Sequence, residues 1–415
     1  MTVKVTKPAV NLREELADLR KPSGIAGEAM LRAETPQEQF NLISAGGNRN
    51  MVINGAMNVA QRGTSLTMAH DGVQSGYLLD RFAFAMGTNN ETLDGVYSQA
   101  SNGPDGVSAK SILWTTGTAE AAIAEDELFY VNQTIEAQNC QRLGLGTSAS
   151  KQVTLSFYVK SSITGTYGVN VYKPDAAGDL TASIVTGTYT ISSANTWERK
   201  TITFPSGGAA SLGITDDNGA GLQINWHLAA GSNYTATDGT SWGDYAAGKW
   251  AYGHAQNGVV TTASATWGIT GVQMEVGPIA TPFEHARSYG EELAACQRYF
   301  QRFPSSDQAD GGAYAGIGGF GNCISTTDFS TSISLPVTMR VEPTMSPSAS
   351  GTFRVYHENT NTVVTTAPVI SDSYSSVSQV HIRSVVGSAA LTVGNGGQLQ
   401  QSNDNDAHIS LDSEL

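Results

Sequence analysis

Charged side chains are scarce in this chain. They make up 14% of its 415 residues, against about 25% in ordinary globular proteins. Basic residues are the scarcer kind, with 23 Lys and Arg against 37 Asp and Glu and a net charge of −14. A nucleic-acid binder needs a basic face that displaces counterions, and anionic membranes attract basic segments. The composition therefore argues against nucleic acids and membrane surfaces as partners.

Cysteine and long apolar runs are also rare. The three cysteines, Cys140, Cys296 and Cys323, are too few and too scattered for a disulfide framework or a zinc site. No apolar run approaches the roughly 18–20 residues that span a bilayer. The first twenty residues lack the apolar core of a signal peptide. We therefore expect buried, reduced thiols, assembly in a cytosol and no insertion into a membrane.

The sequence offers little for catalysis. It contains neither an HExxH zinc motif nor a GxxxxGK[ST] phosphate loop. Glu125, Asp126 and Glu127 are adjacent carboxylates, which we expect to be solvated. A glycosidase needs two carboxylates about 5–9 Å apart in space, and adjacency in sequence does not establish such a pair. We predict that the protein is not an enzyme and needs no cofactor.

The first 48 residues differ from the rest of the chain. Leu12, Leu16 and Leu19 recur at the spacing of one helix face, and Phe40 and Ile43 give a second short helix an apolar edge. Two such helices cannot bury their apolar faces within 48 residues. They form either a helical arm packed on the following domain or a segment for attachment and trimerisation. Attachment is the interpretation that we carry forward.

Residues 49–287 have a β pattern. Glycine is abundant, at 45 residues, and turn residues separate short runs that alternate with a period of two. One predicted strand follows Val153, Leu155, Phe157 and Val159, and another covers 266–276 with a register change near Gly271. Many short strands spaced by turns predict a β-sandwich, with a jelly roll as the favoured version.

A helix and a second β region are predicted after the sandwich. Ser288 and Glu291 have the spacing of a capping box, and Pro304 follows the helical pattern, so we expect a connector helix over 288–303. Alternating runs then predict a C-terminal β domain over 304–415, with strands that include 377–386 and 391–393. The fold class is mainly β, with a short helical arm, a sandwich, a connector helix and a C-terminal β domain.

One short segment resembles half of a calcium-binding loop. Residues 215–221, TDDNGAG, place Asp216 and Asp217 beside flexible residues, but they lack the terminal glutamate of an EF-hand. The segment is either a surface turn stabilised by an Asp side chain or a calcium site of another geometry. A structural calcium ion held by Asp216 and Asp217 therefore stays as an alternative.

Aromatic residues concentrate between Asn233 and Trp267. Flat rings stack on the apolar face of a sugar, while neighbouring polar groups bond its hydroxyls. Either these rings cover the sandwich core or they form a glycan-contacting surface. For the second alternative, the candidate residues are Trp242, Tyr245 and Trp250 for stacking, with Asp244 and Lys249 for hydrogen bonds.

Several segments resemble tail-fibre and virion-fibre proteins of tailed bacteriophages. They are RNMVINGAMNVAQRGTS (49–65), DRF (80–82), GVQMEVGPIATPFEHARSYGEELAACQRYFQRF (271–303), LPVTMRVEPTMSPS (335–348) and ISLDSEL (409–415). The opening residues are similar to the N-terminal attachment end of fibres from podovirus-like marine phages. The resemblance implies a homotrimeric fibre, with a jelly roll like that of a carbohydrate-binding module, that recognises a host surface. No long heptad shaft follows, which favours a short fibre.

The sequence thus predicts a non-enzymatic phage fibre protein. Its expected partners are two further copies in a homotrimer, other virion structural proteins through the N-terminus, and a host-surface glycan. Its expected location is the virion, assembled in the host cytoplasm. Two rival functions stay open. One is a head fibre or capsid decoration protein whose sugar binding is incidental, and the other is a polysaccharide depolymerase.

Overall fold

The computed structural model describes residues 49–69, 75–87, 92–174, 181–283, 287–304, 314–349, 351–371, 374–404 and 406–415. They belong to the larger of two compact units, Arg49–Leu415, while the smaller unit is Met1–Asn48. The predicted helical arm, with the attachment residues Leu12, Leu16, Leu19, Phe40 and Ile43, lies outside the described residues. Its role stays a prediction, as does the homotrimer.

The described residues are mainly β and contain 22 strands, four short α-helices and three single-turn 3-10 helices. The strands are β1 (Ser65–Ala69), β2 (Ser75–Leu79), β3 (Phe82–Met86), β4 (Asp94–Ala100), β5 (Ser111–Thr116), β6 (Leu128–Glu136), β7 (Val153–Ser161), β8 (Gly165–Lys173), β9 (Ser183–Ile191), β10 (Glu198–Phe204), β11 (Ala220–Ala230), β12 (Gly243–Asp244), β13 (Thr266–Val276), β14 (Phe300–Phe303), β15 (Gly316–Cys323), β16 (Asp328–Ser334), β17 (Thr344–Pro347), β18 (Phe353–His357), β19 (Thr360–Ile370), β20 (Gln379–Val386), β21 (Gly396–Gln401) and β22 (Ile409–Asp412). The helices are α1 (Ala137–Cys140), α2 (Ser232–Thr235), α3 (Gly258–Thr261) and α4 (Tyr289–Gln297).

The first thirteen strands form two antiparallel sheets that pack as a sandwich. The first sheet has the order β1-β4-β5-β13-β7-β10, and the second has the order β12-β9-β8-β11-β6-β3-β2. Rings from the two sheets meet in the core, where Trp114 lies 5.0 Å from Phe129 and Phe157 lies 5.9 Å from Trp226 between ring centroids. The predicted alternation over β7 is confirmed, because all four of its apolar residues are buried in this core.

The predicted register change in the last sandwich strand is also confirmed. The pairing of β13 with β7 shifts between Thr270 and Gln273. Gly271, inside that shift, has a φ of +60°, and a Cβ there would lie 2.9 Å from the ring of Tyr158. The bulge therefore requires glycine for its backbone conformation and for the close approach of Tyr158.

The connector helix is shorter than the sequence predicts. The capping box between Ser288 and Glu291 is present, but the helix covers only Tyr289–Gln297. The next residues form β14, which pairs with β22 instead of continuing the helix. The pairing adds ladder hydrogen bonds and buries Phe300, so a contact far along the chain overrides the local helical pattern. Pro304 follows a strand and does not end a helix.

The C-terminal region contains a closed barrel and a small sheet. The barrel has the order β15-β16-β20-β19-β18-β21, and the small sheet has the order β14-β22-β17. This region has a hydrophobic core of its own, which includes Ile317, Phe329, Val355 and Leu399. The strand predicted at 391–393 is wrong, because that segment lies in turns. The strand predicted at 377–386 is confirmed as β20, which begins two residues later.

Ion pairs join the barrel region to the sandwich. Arg62 bonds Asp412 at 2.8 Å and Glu414 at 3.1 Å. Arg81 also pairs with Glu414, and the Arg81 guanidinium lies 3.5 Å above the ring centroid of Tyr299. Both side chains of the Arg81–Glu414 pair are almost fully buried. The last residues of the described chain therefore hold the two β regions together.

The expectation that the cysteines are buried is confirmed for all three, and none of them is paired in a disulfide in this structure. Burial raises the pKa of the Cys140 thiol to about 12, so this thiol stays protonated and unreactive near neutral pH. None of the helices in the described part of the chain has the length and apolar character required to cross a bilayer.

Candidate functional site

The outer face of the second sheet is polar and yet buried. On β11, Asn225 and His227 alternate with the core residues Ile224 and Trp226, so they point away from the core. Both polar side chains are fully buried. Residues 245–257, here called the covering segment, lie across them. The sheet therefore has a second, polar layer between its outer face and this segment.

Trp250 is the centre of the covering segment. Its carbonyl accepts a hydrogen bond from Asn170 Nδ2 at 2.6 Å, and Asn225 Nδ2 in turn donates to Asn170 Oδ1 at 2.7 Å. Its ring makes edge contacts with Tyr130 and Tyr172 at 5.8 and 5.2 Å. The residue is only 8% exposed. The prediction of Trp250 as a sugar-stacking residue is therefore wrong, since its ring packs among neighbours on the sheet.

Three tyrosine rings contact this tryptophan, and a fourth tyrosine, Tyr234, accepts a hydrogen bond at its carbonyl from the neighbouring Ala251 amide at 2.8 Å. We call Tyr130, Tyr172, Tyr234 and Tyr245 the tyrosine surface. Tyr245 is 43% exposed and stands edge-on to Tyr172 and Trp250, with 5.7 Å between ring centroids in both pairs. The other three tyrosines are partly buried. The exposed ring is therefore fixed in place by buried ring contacts.

The Tyr130 and Tyr245 hydroxyls are neutral hydrogen-bonding groups at neutral pH. Burial raises the pKa of Tyr130 to about 12, and the nearby Tyr245 and Tyr234 hydroxyls add to this increase. Burial, with a contribution from Tyr234, also raises the pKa of Tyr245. A protonated phenol can donate one hydrogen bond and accept others. The surface thus combines flat apolar rings with uncharged polar groups.

The other predicted glycan residues lie close to Tyr245, with one exception. Asp244 ends the two-residue strand β12 and is exposed, and its carbonyl accepts a 2.9 Å hydrogen bond from Lys249 Nζ. Trp242 is half-buried and packs against the sandwich core, and its Nε1 donates to the Pro205 carbonyl at 2.9 Å. The structure therefore brings Tyr245, Asp244 and Lys249 together and uses Trp242 for packing.

Two buried histidines lie where the covering segment meets the sheet, His254 in the segment and His227 on β11, and neither was among the predicted site residues. His254 Nδ1 accepts a hydrogen bond from the Gly168 amide at 3.0 Å, and its Nε2 lies 3.1 Å from Asn257 Oδ1. Burial lowers the pKa of His254 to about 4 and lowers that of His227 well below its usual value. Both rings are therefore neutral at pH 7. Period-two alternation along β11 could have assigned His227 to the outer face.

In the acidic segment at 215–221, residues 216–219 form a turn and the last two residues begin β11. Asp217 Oδ1 accepts a hydrogen bond from the Gly219 amide at 2.8 Å, and Asp216 is exposed. Within the described ranges, no group of three or more His, Cys, Asp or Glu side chains is arranged to hold a metal ion. The turn needs no ion for its geometry, because the Asp217 side chain satisfies its own loop.

Two features bear on catalysis. Residues 239–243, GTSWG, have the GxSxG spacing of a serine nucleophile, but Ser241 is exposed in a bend and a two-residue strand follows it. A nucleophile elbow needs a strand before the serine and a helix after it. In the acidic run, Glu127 is buried and accepts from the Ala124 amide at 2.7 Å. The expectation of a fully solvated run is therefore wrong for Glu127, whose carboxylate stabilises a turn.

No protein-family model matches this chain, and no curated protein matches it either. Some solved structures align with it at low scores. One is the enzymatically active domain of tailspike protein 4 of bacteriophage CBA120, with 13% identity and a TM-score of 0.27, over 55% of this chain and 21% of that one. The chain thus spans about a fifth of the tailspike domain's length.

Carbohydrate-binding modules also align. A family 11 module from Clostridium thermocellum, in complex with a mixed-linked tetrasaccharide, has 10% identity and a TM-score of 0.26, over 52% of this chain and 98% of the module. A tandem of two family 22 modules from Paenibacillus barcinonensis has 8% identity and a TM-score of 0.26, over 89% of this chain and 97% of the tandem. At these scores, the function has to be argued from the geometry of the site.

Proposed function

We propose that this chain is a non-enzymatic bacteriophage fibre protein that binds a host-surface glycan on the tyrosine surface. The observation that carries the proposal is the position of Tyr245. Its ring is exposed, is fixed edge-on by Tyr172 and Trp250, and lies beside Asp244 and Lys249. A sugar that stacks on this ring meets polar groups at the edge of the contact.

The geometry suits a sugar because the site is arranged before the ligand arrives. Ordering a loose side chain on binding costs about 0.5–1.5 kcal/mol. Tyr245 avoids most of that cost, since two ring contacts already hold it. Neutral tyrosine hydroxyls can both donate to and accept from sugar hydroxyls. Rigid amphipathic rings are also the side chains that give large contact area at low entropy cost.

The assignment to a phage fibre rests on the segments that resemble such proteins, and these segments meet in the fold. Asn50, in the first segment, accepts from the Met274 amide at 3.0 Å and donates to the Val272 carbonyl at 2.9 Å. Arg81 of the DRF segment pairs with Glu414 of the closing segment. Arg340 of the 335–348 segment also donates from Nε to the Ser413 carbonyl of the closing segment at 2.7 Å. Segments that lie far apart in sequence therefore contact one another, which favours one folded module over chance similarity.

The proposal includes a homotrimer that attaches to other virion proteins through residues 1–48. Two alternative functions predict different results. A head fibre or capsid decoration protein would be located on the capsid, and a depolymerase would shorten polysaccharide chains. Light scattering that gives the mass of one 43.5 kDa chain would contradict the trimer. Immunogold labelling of particles distinguishes tail from head.

Glycan-array binding by the full chain tests the proposal. We expect the wild-type protein to bind pyranose oligosaccharides and Tyr245→Ala to bind about tenfold more weakly, the size of a good contact residue. Tyr245→Phe should retain most of the binding, because it retains the ring. Tyr289→Ala, at another exposed tyrosine, is the matched control and should bind as the wild type does. Absence of binding by the wild-type protein to every pyranose on the array would contradict the proposal.

A further inference from the structure

The outer face of the barrel carries a row of alternating rings and amides. Cross-strand pairing aligns Phe320 on β15 with Gln398 on β21, Gln398 with Tyr356 on β18, and Tyr356 with Asn361 on β19. We call these four residues the ring–amide row. Neighbouring strands lie about 4.8 Å apart, so the two rings are roughly 10 Å apart with Gln398 between them. The row therefore forms a shallow slot between the two rings, and the Gln398 amide is the floor of this slot.

The amide of Gln398 is held by a chain of hydrogen bonds. Arg354 donates to Gln400 Oε1 from Nε at 3.1 Å and from Nη2 at 2.7 Å. Gln400 Nε2 then donates to Gln398 Oε1 at 3.0 Å. The Arg354 guanidinium also lies 3.9 Å from the ring centroid of Tyr314. These contacts fix the floor of the slot and leave Gln398 Nε2 as a donor.

Glycines on β15 make room for this arrangement. A Cβ at Gly316 would lie 2.5 Å from Gln398 Nε2, so any larger residue there would displace the amide. Gly319 and Gly321 flank Phe320, which is 85% exposed. A phenylalanine exposed to this extent contributes almost nothing to the core of its own barrel. The folding of the barrel therefore does not explain why a phenylalanine is present at position 320.

We propose that the ring–amide row is a second carbohydrate contact, which takes a neutral pyranose. The inference rests on the proposed function, which assigns glycan binding to this chain. The site that we infer lies on the barrel and is separate from the tyrosine surface. Two flat rings offer stacking faces, and the fixed amide of Gln398 offers a donor to sugar hydroxyls. All four residues of the row are uncharged, and the Arg354 cation already contacts Gln400 and Tyr314. This favours a neutral sugar over an acidic one.

The test uses the full chain on an array of neutral and uronic-acid pyranose oligosaccharides, followed by titration with the neutral oligosaccharide that binds best. In the Tyr245→Ala background, where the tyrosine surface is already weakened, Phe320→Ala and Gln398→Ala should each weaken the remaining binding about tenfold. In the same background, Phe320→Tyr should retain the remaining binding, whereas Phe320→Leu should not, because leucine is apolar but has no flat face. Tyr374→Ala, at a ring 73% exposed elsewhere on the surface, is the control. Thermal melting of each variant confirms that it is folded.

Three results would overturn the inference. If Tyr245→Ala weakens binding while Phe320→Ala and Gln398→Ala in its background weaken it no further, the barrel site is wrong and the proposed function stands. If light scattering shows that Phe320→Ala changes the number of chains in the assembly and leaves glycan affinity unchanged, the row is an interface between copies. If the wild-type protein binds no pyranose at all, both the second site and the proposed function are wrong.

Discussion

The sandwich and the barrel treat their outward-facing rings in opposite ways. In the sandwich, the covering segment folds Trp250 back onto the sheet, and among the described aromatic rings of this region only Tyr245 is more than a third exposed. In the barrel, Phe320 and Tyr356 stand on the outer surface. Aromatic residues in glycine-rich sequence therefore have no single role. The length of the connection between strands decides whether a ring is covered. The 35 residues between β11 and β13 are enough to fold back over the sheet, whereas only a short turn joins β15 and β16.

The comparison predicts its largest effect at Trp250. Trp250→Ala removes a buried ring that contacts Tyr130, Tyr172 and Tyr245. Truncation of a buried tryptophan or phenylalanine costs about 3–5 kcal/mol, and we expect a loss of that size in the free energy of unfolding. Urea denaturation monitored by circular dichroism measures it. A loss below about 1 kcal/mol would show that the covering segment is only loosely packed.

The contacts between the two regions predict the next effect. Glu414→Gln removes the charge that faces Arg81 and Arg62. Breaking a buried pair costs about 3–5 kcal/mol, and we expect about 3 kcal/mol, since Arg62 keeps its bond to Asp412. Denaturation of the full chain measures the loss, with Glu125→Gln, at an exposed glutamate, as control. Equal stability of the two variants would mean that the pair does not hold the regions together.

The buried histidines predict that the sandwich loses stability in mild acid. The pKa of His254 is about 4 in the folded protein and about 6.5 in the unfolded chain. The unfolded chain thus binds the proton more tightly. The stability contribution is complete above pH 6.5 and decreases as the pH falls toward 4. Each pH unit in this window should cost about 1 kcal/mol per histidine.

Denaturation at several pH values, with His254→Gln as the comparison, measures this dependence. The variant should have a shallower decrease in stability between pH 6.5 and 4, because one of the two buried histidines of the sandwich is gone. His227 keeps part of the dependence, since burial also lowers its pKa. Identical slopes for the two proteins would show that His254 is already accessible to solvent in the native state.

The smallest effect is predicted at Phe320. Phe320→Ala should change the free energy of unfolding by less than about 0.5 kcal/mol, as surface substitutions usually do. The same denaturation experiment that is applied to Trp250→Ala measures it. A loss comparable to that of Trp250→Ala would end the contrast between the two regions and would place Phe320 in a buried contact.

Local patterns in the sequence predicted the local features of the fold. The alternation in β7, the bulge at Gly271 and the capping box at Ser288 all follow from a few neighbouring residues. The end of the connector helix could not be predicted in this way, because β14 is a strand only through its pairing with β22. That partner lies more than 100 positions later in the chain.

The candidate site was predictable only in part. Composition identified the aromatic segment, and Tyr245, Asp244 and Lys249 do lie together. Whether a ring is buried depends on what it folds against, and the contacts of Trp250 with Tyr130 and Tyr172 come from strands far away in sequence. The partners of Phe320 in the barrel row are likewise set by strand pairing, which no local pattern reveals.

The central claim is that the tyrosine surface holds a glycan, and calorimetric titration of the full chain tests it most directly. The titrant is the array oligosaccharide that binds the wild-type protein best, and the two samples are the wild type and Tyr245→Ala. The account predicts that the variant has an unchanged melting temperature and a Kd about tenfold higher, a loss of about 1.4 kcal/mol. An unchanged Kd together with an unchanged melting temperature would contradict it.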